Sequence, residues 1–185
     1  MALKKLETLA TKTLFKNPYW EYRLDEYSLP DGTAGEYHYV HSHGASLVVP
    51  VHEDGALVLV KQFRYLWKKE SIEFSCGGVK NADYLGSAKN ELAEEARLSA
   101  TEWAKVAEFN PFNGATDEVC KVYLATGLSS ASRARDASEE FEIIKMSVGE
   151  FEEVVNRGEI WDGMTLAAWM LSKQHVLNYL KRVGR

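Results

Sequence analysis

The chain has 185 residues, 45% of them hydrophobic and 26% charged, with a formal net charge of -5, which suits one globular domain with a real core and at most a small appendage. It has no block of lysines and arginines, so a phosphate-backbone binder is disfavoured, and small substrates fit better than nucleic acid. No run of about eighteen apolar residues exists and the opening MALKKLETLATKTLF is too polar for a signal peptide, so neither membrane spanning nor secretion is expected. With only Cys76 and Cys120 there is no material for a disulfide framework, and a cytoplasmic location is the expectation.

Residues 1 to 13 are read as a short helix. YWEYRLDEYSL, a PDG turn at Pro30 to Gly32, and EYHYVHSH then alternate polar with aromatic or apolar residues, as hairpin strands do. Residues 1 to 43 thus form a helix and β-rich front section, and 44 to 185 the main domain. ASLVVPV (45 to 51) and ALVLVKQF (56 to 63) flank a turn at Asp54-Gly55 and are apolar enough for central strands. SIEFS (71 to 75) reads as a strand halted by Gly77-Gly78. A helix follows from near Asp83 to Leu98, with Leu85, Ala88, Leu92 and Ala96 spaced to face a core. WAKVAEF and VCKVYLATGL are strands separated by the turn-rich NPFNGATDE. After a polar loop (129 to 140), EIIKMS is the last strand. Ser147 and Glu150 are spaced as a capping box opening a helix that ends before Gly158. A longer helix from about Thr165 to the end buries Leu166, Trp169, Met170, Leu177 and Leu180. The element order predicts an α+β fold, a mostly β core with helices packed on it.

The stretch NELAEEARL (90 to 98) places Glu91, Glu94 and Glu95 within about 100° of arc on one side of the helix. Like charges spaced three and four apart repel, so this is either a wet face or a place for a cation. EFSCGG, a turn and then NELAEEARL make a strand, a glycine loop and a carboxylate-bearing helix. This arrangement resembles the Nudix box, whose pattern is Gly, five residues, Glu, seven residues, then Arg-Glu-apolar-any-Glu-Glu-any-Gly-apolar. With Gly77 as the first glycine, Asp83 stands for the first glutamate, and Glu91, Leu92, Glu94, Glu95 and Leu98 match with one residue missing between. Asn90 stands where the family has arginine, and Arg97 where it has glycine. The box is therefore a degenerate one.

The chain is also similar to the ADP-ribose and nucleoside diphosphate sugar pyrophosphatase branch of that family, over residues 20 to 175. The pieces are LPDG, the apolar strand pair, VKQFRY, IEFSCGG, NPFNGATDE, YLATGL and GEIWDGMTLAAW. The resemblance implies the Nudix fold, a mixed β-sheet core flanked by helices, with the Nudix hydrolase domain at 44 to 185 and a dimer contact in the β-rich front. It implies a nucleotide-sugar substrate and a Mg²⁺ site, for which Mn²⁺ can substitute. The metal ligands would be the carboxylates of Glu91, Glu94 and Glu95 and the backbone carbonyl of Cys76. Mg²⁺ takes hard oxygen ligands, and such an ion polarises a diphosphate and helps to activate water. The catalytic base in this branch is a late-loop glutamate, which makes Glu139 and Glu140 the candidates and Glu142 a weaker one, with Glu94 counted among the catalytic carboxylates. Arg64 inherits contact with substrate phosphates, and Asp117 and Glu118 either line the pocket or serve a turn.

Other residues read as structural. His41 and His43 lie two apart with no third ligand nearby, so an ordinary strand is expected. Cys76 has no identifiable histidine partner and is not read as a nucleophile. Phe15, Tyr19 and Trp20 could stack on a base, but are read in preference as core or dimer contacts. The expected activity is hydrolysis of a nucleoside diphosphate sugar such as ADP-ribose to a nucleoside monophosphate and a sugar phosphate. The alternatives are a Nudix-fold protein that binds a nucleotide without cleaving it, and an interaction domain whose helix acids are merely solvated.

Overall fold

A computed structural model of the chain describes residues 5–131 and 140–185. It contains two compact units, one of Met1–Gly44 with Asn110–Val119, the other of Ala45–Phe109 with Cys120–Arg185.

The first unit is an antiparallel meander of β1 (Glu7–Lys16), β2 (Glu21–Ser28) and β3 (Ala34–His41), in that order. The helix expected over 1 to 13 is a strand from Glu7 onward. Thr8, Thr11 and Thr13 prefer extended backbone, and cross-strand pairs hold it there. Thr11 Oγ1 donates to Asp25 at 2.7 Å, and Lys12 reaches Glu26 at 2.7 Å. Asn17 closes the first turn by accepting from the backbone N–H groups of Tyr19 and Trp20 at 2.8 and 2.9 Å. The expected turn at Gly32 is present, with φ at 86° and Asp31 accepting from the Thr33 N–H at 3.0 Å. Residues 110–119 bridge to β3, where the Val40 N–H donates to the Ala115 carbonyl at 2.9 Å.

The second unit holds one sheet in the order β7-β4-β9-β8 and another in the order β10-β5-β6. The strands are β4 (Ala45–Pro50), β5 (Leu57–Arg64), β6 (Lys69–Glu73), β7 (Cys76–Gly78), β8 (Leu98–Phe109), β9 (Cys120–Ser130) and β10 (Glu142–Met146), and the helices are α1 (Tyr84–Glu95), α2 (Val148–Asn156) and α3 (Gly163–Arg182). β4 is buried throughout because both its faces are covered, which explains its unbroken apolar run. Leu47 and Val49 join the cluster holding Phe151 and Trp169 of α2 and α3, while Val48 joins the one holding Ala88 and Leu92 of α1. The Asp54-Gly55 turn forms, with Gly55 at φ 91°. The strands it links nonetheless separate into different sheets and share only a Val51–Leu57 bridge.

Three further expectations change in detail. Gly77-Gly78 does not end a strand but forms β7, paired antiparallel with β4. The helix expected from near Asp83 to Leu98 stops at Glu95, and Leu98 already belongs to β8. In α3 the buried face is Thr165, Ala168, Trp169, Ser172 and Val176, whereas Met170 is 79% exposed. Small hydroxyl residues fit against the sheet there, and Thr165 Oγ1 accepts from the Phe74 N–H at 3.1 Å. The capping box of α2 is present as expected, with both Ser147 and Glu150 bonds made.

Candidate active site

The second unit gathers its charged chemistry where β5, β6, β7, α1 and the start of α3 meet. The turn from Arg64 to Lys69 carries Arg64 at the end of β5, where its Nε donates to Glu73 Oε1 at 2.8 Å and its second nitrogen to Glu73 Oε2. Gln62 Nε2 donates to the same carboxylate at 3.3 Å. Glu73 is 2% exposed, and a carboxylate so buried needs the charged fork opposite it. The Glu73 pairing raises the Arg64 pKa above its ordinary value against the opposing effect of burial, with smaller contributions from Asp162 and Glu95. Arg64, Glu73, Glu95 and Asp162 therefore share one electrostatic neighbourhood. Asp162 caps α3 by accepting from the Thr165 N–H at 2.7 Å.

β7 and α1 supply the glycine loop and the carboxylates. A methyl group placed on Gly77 would fall inside the Glu91 carboxylate, so the bare glycine is what lets that side chain lie across the strand. Glu91 and Glu94 are half-buried and Glu95 is 6% exposed. The three glutamates therefore do not form an evenly wet face. The Cys76 thiol is pushed well above its usual range by its hydrogen bond to Cys120 and by burial, with Glu95 and Asp162 adding. It stays protonated, as expected for a structural cysteine.

Asp83 and Arg97, at the two ends of α1, have visible structural roles. Asp83 is the N-cap of α1 and accepts from the Gly86 N–H at 2.8 Å. Past the C-cap at Ala96, Arg97 itself takes the left-handed conformation, with φ at 55°, and its carbonyl accepts from the Ala131 N–H at 2.9 Å. An arginine thus does the work of a helix-ending glycine, at a conformational cost. Asn90 is half-buried on the same helix.

The remaining expected site residues are distributed as follows. Glu140 lines a cleft of about 270 Å³ with Lys61, Gln62, Phe63 and Glu70, while Glu139 lies outside the described residues. Glu142 begins β10 and pairs with Lys61 at 2.5 Å. Asp117 and Glu118 belong to the first unit. Asp117 accepts from the Ser42 N–H at 3.2 Å and meets His41 Nδ1 at 2.6 Å, and Glu118 accepts from Ser42 Oγ at 3.2 Å. His41 and His43 meet edge to face at 5.7 Å. Among the described residues no three His, Cys, Asp or Glu side chains converge into a ready metal cage. The donor chemistry of Glu91, Glu94 and Glu95 is nonetheless that of a hard-cation site. Sequence reading did not single out Glu73 or Asp162, although both lie in quoted stretches, IEFSCGG and GEIWDGMTLAAW. No local pattern marks them, because Glu73 ends β6 and Asp162 caps α3, and the charged group they share, Arg64, comes from another strand.

No protein-family model matches the chain. It is 28% identical over 171 residues to the ADP-ribose pyrophosphatase of Bacillus subtilis, covering 90% of this chain and 92% of that one. It is 29% identical over 172 residues to the ADP-ribose pyrophosphatase of Mycobacterium tuberculosis, covering 90% and 83%. It is also 26% identical over 165 residues to the methanol dehydrogenase activator of Bacillus methanolicus, covering 88% and 89%. A solved structure described as an ADP compounds hydrolase superposes with a TM-score of 0.82 at 17% identity, over 100% of this chain and 99% of that one. The α+β Nudix fold expected from the sequence is therefore the fold of this chain.

Proposed function

We propose that the chain is a divalent-metal-dependent Nudix hydrolase that cleaves the diphosphate bond of ADP-ribose or a closely related nucleoside diphosphate sugar. Near-full-length similarity to two ADP-ribose pyrophosphatases supports the reaction class. The structural observation that carries the site is the Glu91 carboxylate lying over Gly77, with buried Glu95 and the Arg64–Glu73 pair in the same unit. Glu91, Glu94, Glu95 and the Cys76 carbonyl would hold Mg²⁺ or Mn²⁺. A bound ion would supply charge neutralisation at the diphosphate and acidify a water.

The chain's own groups divide the remaining work. Arg64, kept cationic and oriented by Glu73, faces the diphosphate charge and positions it. Glu140, or Glu139 beside it, takes the proton of the attacking water. As the water oxygen bonds to phosphorus, the bridging P–O bond breaks, leaving a nucleoside monophosphate and a sugar phosphate. Asp117 and Glu118 shape the first unit through His41 and Ser42, and their contact with substrate belongs to this reading. So does a homodimer formed through the β1–β3 sheet, on which every residue of β1 is exposed, Leu9, Leu14 and Phe15 among them. A lone three-stranded sheet needs an apolar face covered, and a second copy would provide that. The cytoplasmic location expected from the free cysteines is part of the same reading. No helix among the described residues is long and apolar enough to cross a membrane.

The test is hydrolysis of a nucleotide-sugar panel with and without Mg²⁺ or Mn²⁺, comparing the wild type with Glu95→Gln. Turnover that needs the ion and falls at least about a hundredfold in the variant is expected. Binding of ADP-ribose without any turnover would replace this reading with the binding-only one.

A further inference from the structure

One aromatic cluster of the second unit takes no part in the chemistry described so far. The β5–β6 hairpin exposes Phe63, Tyr65, Leu66 and Trp67 at 59, 73, 86 and 69%. Its turn is closed by the N–H groups of Trp67 and Lys68 donating to the Arg64 carbonyl at 3.1 and 2.9 Å. Large apolar side chains grouped at one exposed tip mark a place where something binds.

The cluster is built rather than loose. The Trp67 ring meets Trp161 edge to face, with centroids 5.9 Å apart and planes at 64°. Trp161 is fixed on three counts. Its Nε1 donates to the Glu70 carbonyl at 3.1 Å, Lys69 Nζ lies 4.0 Å from its ring centroid, and the next residue, Asp162, is the N-cap of α3. A locked ring thus braces an exposed one. The same hairpin carries further cations, with Lys68 Nζ 3.2 Å from the Tyr65 ring centroid and Arg64 at the base of the turn. Because Asp162 and Glu95 are among the charges that Arg64 feels, the Trp161–Asp162 step ties this platform to the carboxylate helix. A braced indole with a free face, flanked by cations and adjoining the diphosphate site, suits a planar base joined to phosphates.

We propose that Trp67, braced by Trp161, stacks on the nucleobase of the nucleoside diphosphate substrate. Trp67 is the binding residue and Trp161 the positioning one, and Lys69 with Arg64 supplies positive charge toward the phosphates. This rests on reading the neighbouring site as one for nucleoside diphosphates. Stacking of this kind is tolerant of base identity, so the platform selects nucleotides over bare sugar phosphates and pyrophosphate without choosing among bases.

The experiment follows tryptophan fluorescence of the full chain during titration with ADP, ribose 5-phosphate and inorganic pyrophosphate, and compares wild type, Trp67→Ala and Trp67→Phe. Nucleotide-sugar kinetics and sedimentation are run alongside. ADP alone should quench the wild type. Trp67→Ala should abolish that quench and raise KM about tenfold with kcat little changed, and Trp67→Phe should recover most of the KM. Trp67 is exposed, so both variants should fold. An unchanged KM and ADP affinity in Trp67→Ala would overturn the proposal, as would a loss of dimer as its main effect. Absence of turnover in the wild type would sink the hydrolase reading instead, and the ADP titration would still decide this one.

Discussion

Arg97 occupies a conformation that its side chain disfavours, and Arg97→Gly measures the cost. At φ 55° a residue with a Cβ is crowded against its own carbonyl, at about 1–2 kcal/mol relative to glycine. Glycine gives part of this back, because it frees the unfolded chain by about 0.4–1 kcal/mol. The Arg97 side chain is exposed, and the carbonyl that accepts from Ala131 is kept in the variant. The net expectation is a gain of about 0.5–1 kcal/mol, or a rise in Tm of about 1–4 °C for a chain of this size. Arg97→Ala is the control, since it removes the charge and length but keeps the Cβ, and it should melt within about 1 °C of the wild type. Thermal melts and urea titrations of the three proteins check this. The two compact units call for coincident transitions by fluorescence and circular dichroism before a free energy is taken. A variant glycine that melts at or below the wild type, or an alanine that stabilises as much as the glycine, would refute the backbone account.

Two other perturbations separate chemistry from stability. In Gly77→Ala the new methyl group meets the flexible end of Glu91 rather than backbone, so the carboxylate swings aside and the strand persists. Turnover should fall about ten- to a hundredfold with little change in Tm, and an unaffected rate would remove Glu91 from the site. In the first unit, Lys16 and then Arg23 hold the Glu21 carboxyl down at about 2, from an ordinary 4.5. A depressed carboxylate contributes stability that is present in full above the unfolded value and is lost as pH falls through the folded one. The β1–β2 pairing should therefore weaken between pH 4.5 and about 2. Proton-detected titration of the Glu21 carboxyl, with Glu21→Gln abolishing that part of the acid transition, checks it. A Glu21 midpoint near its ordinary value would refute it.

How much of this was legible in the chain depends on the range of the interaction. The α2 capping box is written within four residues, and Ser147 and Glu150 make both bonds. The apolar runs of β4 and β5 announce burial, but their assignment to different sheets depends on the pairing of β4 with β9, more than seventy positions away. Leu6, Leu9 and Ala10 have helix-like spacing in sequence, against the extended preference of Thr8, Thr11 and Thr13, and the cross-strand partners Asp25 and Glu26 hold β1 as a strand. In α3 the expected Trp169, Leu166 and Leu180 do face the core, but Met170 and Leu177 point out while Thr165 and Ser172, polar in composition, pack inward. Glu73 and Asp162 escaped notice, since what marks them is a guanidinium on another strand and a helix start far along the chain.

The Nudix-like pattern itself mixes two kinds of information that the structure separates. Asp83 and Arg97 act at the ends of α1, one capping its first turn and the other turning the chain out after the last. Gly77 and Glu91 act on each other across the helix's side. Departures at the ends are absorbed by backbone geometry, at a cost of about a kcal/mol at Arg97. A Cβ at Gly77 is absorbed only by pushing the Glu91 carboxylate aside, so that change falls on the carboxylate and not on the backbone. The departures at 83 and 97 are therefore expected to tune how firmly the helix is held, whereas changing Gly77 or Glu91, both kept from the pattern, is expected to decide whether the proposed site works.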